Sequence, residues 1–245
     1  MSKKLVKTDM LKIYLVKFAI RLIIFLAIFI LYITDKKMLV DIFTHEISFG
    51  GFHITLFHIL WLMFMFMMIC HLFPNRKVTM ALRKFKKENF IAVEGYSKLE
   101  LLQSTQKQNI KAWQVMLLWL SFNAIWGFLY LFEVMDDIDL WMLAVFYFLC
   151  DYICILFFCP FQTFIMKNKC CVNCRIYDWG HFMMFTPMLF MKSFFSWSLF
   201  FTALIVLIRW EIVYAQNPQL FWSGSNQTLQ CKNCKDKTCQ LKKHR

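Results

Sequence analysis

Apolar positions along the chain gather into runs of about 20 residues, the length an α-helix needs to cross a hydrocarbon core of roughly 30 Å. Four runs are read as spans, at 11–33, 54–73, 112–132 and 140–166. A fifth, 181–210, is long for one helix and short for two, and Pro187 and Lys192 interrupt it. The pattern predicts an all-α, multi-pass helical membrane bundle of four spans plus a fifth segment that is re-entrant or bent. The organisation follows the runs: 1–73 with the first two spans, a basic linker 74–111, spans three and four in 112–166, a Cys-rich loop 167–180, the apolar segment 181–210, and a basic Cys-rich tail 211–245. The first run is longer than a signal-peptide core and has no small-residue cleavage site, so it is read as retained.

Charge orients these spans. Residues 1–21 carry six Lys and Arg, 34–53 two, 74–112 nine, the turn 133–139 none, and 167–175 three. Cytoplasmic loops retain Lys and Arg, which puts the N-terminus in the cytoplasm, in a bacterial plasma membrane or the endoplasmic reticulum. The tail 209–245 has seven Lys and Arg against two acids, which argues that it is cytoplasmic too. That requires 181–210 to return to the side it left. A hairpin bending near Lys192 and Ser193 would do this, as would an interfacial helix followed by a short bent insertion. The plain rival is an interfacial helix over 179–191 followed by one true crossing, which would leave the tail outside. Lys242 and Lys243, fourth and third from the last residue, resemble a dilysine retrieval signal and favour the cytoplasmic tail.

The basic linker contains amphipathic stretches at 80–85 and 96–102, read as interfacial helices attracted to anionic lipid headgroups. No nucleic-acid-binding module accompanies the Lys and Arg cluster, so nucleic acid is excluded as a partner. A composition that is 60% hydrophobic, with 29 Phe and 16 Met, leaves too little polar surface for a soluble domain.

The chemistry lies in the ten cysteines. Cys70, Cys150, Cys154 and Cys159 fall in or beside spans; Cys150 and Cys154, one turn apart, read as small hydrophobes on one helix face. Cys159 precedes Pro160, which predicts a kink. The other six occupy polar segments. Cys171 and Cys174 form one C-x-x-C pair, Cys231 and Cys234 another, and Cys170 and Cys239 are additional. A two-residue gap lets both sulfurs of a turn face one centre, as in Cys₄ zinc and iron–sulfur sites. Adjacent Cys170 and Cys171 do not both readily ligate one ion with Cys174. If the apolar segment returns the chain, the two pairs meet and hold zinc or an iron–sulfur cluster, with neighbouring lysines stabilising the thiolates. Disulfides or a redox dithiol, and inert reduced thiols, are the competing readings.

Asp151 is the one acid inside a predicted span. It must face the interior, with Arg21 or Lys192 as partner, either as a structural ion pair or as part of a relay. Lys17 and Arg21 intrude from the N-terminal side of the first span and must snorkel or find partners. His71 and His181 are expected near one membrane boundary, as candidates for haem or metal ligation, though interfacial hydrogen bonding is the commoner role of such histidines. His53 shares a helix face with His71, while His58 lies off it. Asn226 and Thr228 form a glycosylation sequon usable only by a lumenal tail.

Three functions follow as expectations. The first is a membrane metalloprotein with a cytoplasmic thiolate-bound centre, with His181 and Trp179 beside it, exchanging electrons with a quinone or another hydrophobic molecule. The second is a transporter or channel whose polar path is lined by Asp151, Lys192 and Asn123, with structural zinc. The third is a non-catalytic anchoring protein. The absence of a glycine-rich phosphate loop, a Gly-x-Ser-x-Gly elbow and a His-Glu-x-x-His helix leaves no enzyme class to assign.

Overall fold

The computed structural model describes residues 8–49, 52–73, 87–168, 170–171, 173–234 and 237–242. The amphipathic stretch at 80–85 and the chain end at 243–245 lie outside these. The chain is mostly helical, with one two-stranded hairpin. Four helices are long and apolar enough to cross a membrane.

Helix α1 (Asp9–Thr34) starts at Thr8, whose hydroxyl accepts the Leu11 N–H at 3.2 Å. Asp35 ends it and caps the short amphipathic α2 (Lys36–Thr44) by accepting from Met38 N at 2.9 Å. Strands β1 (Glu46–Phe49) and β2 (Phe52–Thr55) pair antiparallel. Helix α3 (Leu56–Leu72) then opens in a capping box in which Thr55 and His58 satisfy each other's backbone N–H groups. His58 is thereby committed to a helix start. His53, on β2, lies exposed 3.2 Å from Glu46. At 17 residues α3 is shorter than the other apolar helices.

The stretch from 96 and the predicted span 112–132 turn out to be one element. Ser97 caps α4 (Lys98–Leu131), a helix of 34 residues and so about 51 Å long. No Gly or Pro precedes Gly127 in it, so nothing breaks the helix where its polar turns give way to apolar ones. Helix α5 (Asp137–Leu156) opens in an Asp136–Asp139 capping box, where carboxylates complement the dipole. It stops at Leu156, ten residues before the predicted end of that span. Pro160 lacks an N–H and its ring would strike the carbonyl of residue 156, so an α-helix cannot run through it. A wide π turn, Phe161–Met166, follows.

The fifth apolar stretch resolves into two arms. The first is broken: a 3₁₀ turn (Tyr177–Trp179), the short helix α6 (Gly180–Phe185), and a second 3₁₀ turn (Thr186–Leu189) with Pro187 at its start. The chain reverses over 190–193, and α7 (Phe194–Gln216) runs back along it. This is the hairpin near Lys192 and Ser193; the interfacial helix over 179–191 is not formed. The broken arm is enclosed by α4, α5 and α7, and Phe182, Met184, Phe185 and Met188 are buried. Trp119 Nε1 donates to Thr186 Oγ1 at 3.0 Å from α4. Backbone without a regular ladder thus sits where protein covers it, the condition a nonpolar solvent imposes.

The contacts give two ends. Arg21 meets Asp151 and Tyr32 meets Asp139, so α1 and α5 are antiparallel. Trp61 meets Ser198 and His71 meets Trp210, so α3 and α7 run the same way. One end holds the hairpin, the Glu133–Asp139 turn and the 190–193 reversal. The other holds the start of α1, the 157–179 loop and the tail.

Candidate functional site at the cysteine end

The tail returns to the loop that carries the first cysteines. Val93 N donates to Ser225 O at 2.9 Å and Gln227 N to Ile91 O at 2.8 Å, so the linker before α4 and the tail pair as short extended segments. Leu229 packs with Leu11, Tyr14, Tyr152 and Leu156, and Asn173 Nδ2 donates to the Leu229 carbonyl at 3.1 Å. Asn226 is fully buried: its amide donates to Leu220 O at 3.1 Å and accepts from Thr228 N and Oγ1. The sequon is a local turn device, closed to a glycan.

Around this junction the cysteines converge in part. The Cys170 and Cys239 thiols hydrogen-bond across the loop–tail contact, and Cys234 and Cys231 act electrostatically on Cys239. Cys171 is buried and donates to Gln162 Oε1 at 3.3 Å. Lys242 inserts its ammonium beside it, 2.7 Å from Cys171 Sγ, and also donates to Gln162 Oε1. Cys159 pairs with Cys154, and its sulfur accepts the Gln162 N–H at 3.4 Å. Cys174, in contrast, lies in the main hydrophobic core with Ile176 and Trp179. The two C-x-x-C pairs therefore do not form one symmetrical pair of knuckles. Among the described residues, no group of three or more His, Cys, Asp or Glu is arranged to hold a metal ion.

The electrostatics sort these thiols. Hydrogen bonding from Cys154 draws Cys159 down to about 7, with help from Gln162 N–H and Lys242. Burial pushes Cys171 up, and Lys242 opposes that rise. Cys239 is pushed up because its proton is held in the hydrogen bond to Cys170. Cys159 is consequently the thiolate-forming member of the group at neutral pH.

Just above the cysteines lies a polar cluster among the helices. Arg21 donates to Asp151 Oδ2 at 3.0 Å and to Phe148 O at 2.6 Å, and its guanidinium lies 3.7 and 3.9 Å from the Phe148 and Tyr152 ring centres. Gly180 admits this pair, since a Cβ there would come within 3.0 Å of Asp151 Oδ1. The His71 and His181 rings meet edge to face at 4.9 Å, beside Trp210, and His71 Nε2 has no hydrogen-bond partner. Tyr14 and Tyr177 hydroxyls, 3.3 Å apart, stand between this cluster and the cysteines. The other polar candidates separate: Lys192 sits at the hairpin end, while Asn123 is buried with its amide donating to Trp119 O at 2.9 Å and accepting from Tyr147. Asp151, Lys192 and Asn123 therefore do not line one path.

One network has no counterpart in the sequence reading. Arg175 grips Glu211 through two hydrogen bonds, one of 2.8 Å, and stacks on Tyr214 at 3.7 Å. Trp179 Nε1 donates to the same carboxylate at 2.8 Å, and Arg175 Nε donates to Asn109 at 3.3 Å. This ties the start of the broken arm to the end of α7 and to α4. A signal was present: Glu211 is the only acid between 181 and 216, and it lies near a helix C-terminus, where the dipole disfavours a carboxylate and calls for a cation.

Comparison with family models, with curated proteins and with solved structures finds no match for the chain.

Proposed function

We propose that the chain is an integral membrane protein with its N-terminus, loop and tail in the cytoplasm, and that the loop–tail junction is a thiolate centre taking a soft metal, as zinc or an iron–sulfur cluster. The membrane reading draws support from α1, which exposes Val16, Ile23 and Ile30 by 59, 66 and 58%. A surface of that kind suits lipid and is unfavourable in water. The orientation rests on the Lys and Arg distribution.

The observation that carries the thiolate centre is the meeting of Cys170, Cys171 and Cys239 beside Lys242, from segments some 70 residues apart. Thiolates are the ligands soft metals prefer, and a buried ammonium offsets their accumulated charge. Cys159 is the nearest further donor. Loading draws loop and tail together, and the short 3₁₀ turns there leave few backbone bonds to break. His181 and Trp179 lie in the broken arm that follows the loop, on the side a lipid-soluble electron partner such as a quinone would approach.

The hydrogen-bonded Cys170–Cys239 pair favours a second reading, a reversible dithiol. Its two thiols would lose two protons and two electrons in forming a disulfide, and a quinone accepting both would become a quinol. One sample separates the readings: protein purified without oxygen, analysed for metal, visible absorption and alkylation. Bound zinc, or iron with a visible chromophore, together with protected Cys170, Cys171 and Cys239 is expected. Metal-free protein with all three freely alkylated ends the metal reading; a reversible Cys170–Cys239 disulfide in that protein leaves the dithiol.

A further inference from the structure

The hairpin end holds a cavity of about 910 Å³, far from the cysteines and independent of the reading above. Its walls come from α1, α2, α3, α5 and the 190–193 reversal. Phe57, Trp61, Phe64, Trp141 and Phe190 make them aromatic, and α2 closes one side with Leu39 and Phe43. The size lies near the top of the range of small-molecule sites, and the lining is apolar with a few polar groups at one end. From Asp137 at the mouth to Val145 on the wall α5 rises eight residues, about 12 Å. A hydrocarbon chain fits that depth; a compact polar metabolite would leave the aromatic walls unsatisfied.

The mouth carries both signs of charge. Asp136 is paired with Lys36 at 2.7 Å, and Asp137 accepts from Tyr130 at 2.7 Å. Two charged residues on the rim are uncommitted: among the described residues neither Lys192 nor Glu133 has a side-chain hydrogen bond or ion pair. Glu133 is held in place by a left-handed backbone, φ 59°, at the α4–α5 turn. Lys192 is fixed by the reversal between the broken arm and α7. An anionic amphiphile would answer Lys192 and face three carboxylates. A neutral quinone would answer neither group. A zwitterion with a phosphate and a primary ammonium answers both, the phosphate to Lys192 and the ammonium to Glu133.

We propose that this cavity is a binding site for one zwitterionic phospholipid of the phosphatidylethanolamine type, an acyl chain between α1, α3 and α5 and the headgroup between Lys192 and Glu133. The amphipathic α2 is the cover that holds the chain in place.

The test is native mass spectrometry of full-length protein released from nanodiscs made of equal phosphatidylethanolamine, phosphatidylcholine and phosphatidylglycerol. The unaltered protein is expected to retain one phosphatidylethanolamine in preference to the others. Lys192→Met and Glu133→Gln should each cut that retention about tenfold while leaving the melting temperature unchanged. Trp141→Ala, which opens the wall, should release the lipid of any headgroup. Retention of no lipid, equal retention of all three, or unchanged retention in both rim variants overturns the site. Retention of phosphatidylglycerol, a fatty acid or a quinone instead overturns the headgroup assignment.

Discussion

Replacing either partner of the Arg21–Asp151 pair gives unequal losses, and the inequality is set by what each residue keeps. Asp151→Asn leaves Arg21 with the Phe148 carbonyl and two ring faces, and Asn still accepts a hydrogen bond. The loss is one charge-assisted interaction, about 1–2 kcal/mol. Arg21→Met leaves Asp151 among apolar side chains with its ammonium-like partner gone; the Arg21 side chain is 12% exposed and that of Asp151 32%. Breaking a buried pair on that side costs about 3–5 kcal/mol, reduced toward about 3 because Asp151 retains some access and can take up a proton. The forfeited ring contacts add about 0.5–1 kcal/mol each. The double variant should lose less than the two singles together, with a coupling of about 1 kcal/mol or more. Unfolding in mixed micelles, followed through the tryptophans, measures all three. Additive single losses, or an Asp151→Asn loss larger than that of Arg21→Met, would refute the pairing.

Other consequences are as direct. Glu211→Gln should cost about 2–3 kcal/mol, because Arg175 loses its bidentate partner, and should shift the Trp179 emission that reports its indole hydrogen bond; unchanged stability and emission would remove the network. Iodoacetamide should modify Cys159 with a midpoint near pH 7, since its thiolate fraction rises through that pH, while Cys171 and Cys239 stay slow until well above the ordinary thiol range; one shared midpoint near 9 contradicts the ordering. Lys242→Met should move the Cys159 midpoint upward, as it removes a cation that favours the thiolate, and a downward move would show the sign to be wrong. Mild oxidation of metal-free protein should link Cys170 to Cys239 before Cys171 to Cys174, as peptide mapping would reveal.

Much of the helical plan was written in local pattern. Run length fixes which segments are long apolar helices, and Thr8, Ser97 and Asp136 mark three starts with side chains that cap them. Pro160 sets the limit of α5 by the same local rule, although hydropathy alone carries the run on to 166. The meeting of His71 with His181, and of Arg21 with Asp151, was legible as a short set of options, since few ionisable groups occupy the apolar runs and each needs a partner.

What the sequence left open is how the chain meets itself at long range. The stretch 181–210 is compatible with one crossing or a return, because hydropathy counts residues and does not say which neighbours cover a broken backbone. The enclosure of Thr186 and Pro187 by α4, α5 and α7 makes the return possible. The cysteine spacings, equal in the two C-x-x-C pairs, suggested equal roles. Packing divides them, sending Cys174 into the core while Cys170 faces Cys239 and Cys171 takes Lys242. Helix length, capping and the need to pair buried charge are properties of neighbouring residues and can be read along the chain. Which thiols, charges and apolar walls face one another depends on surfaces from distant segments, and only the assembled structure decides that.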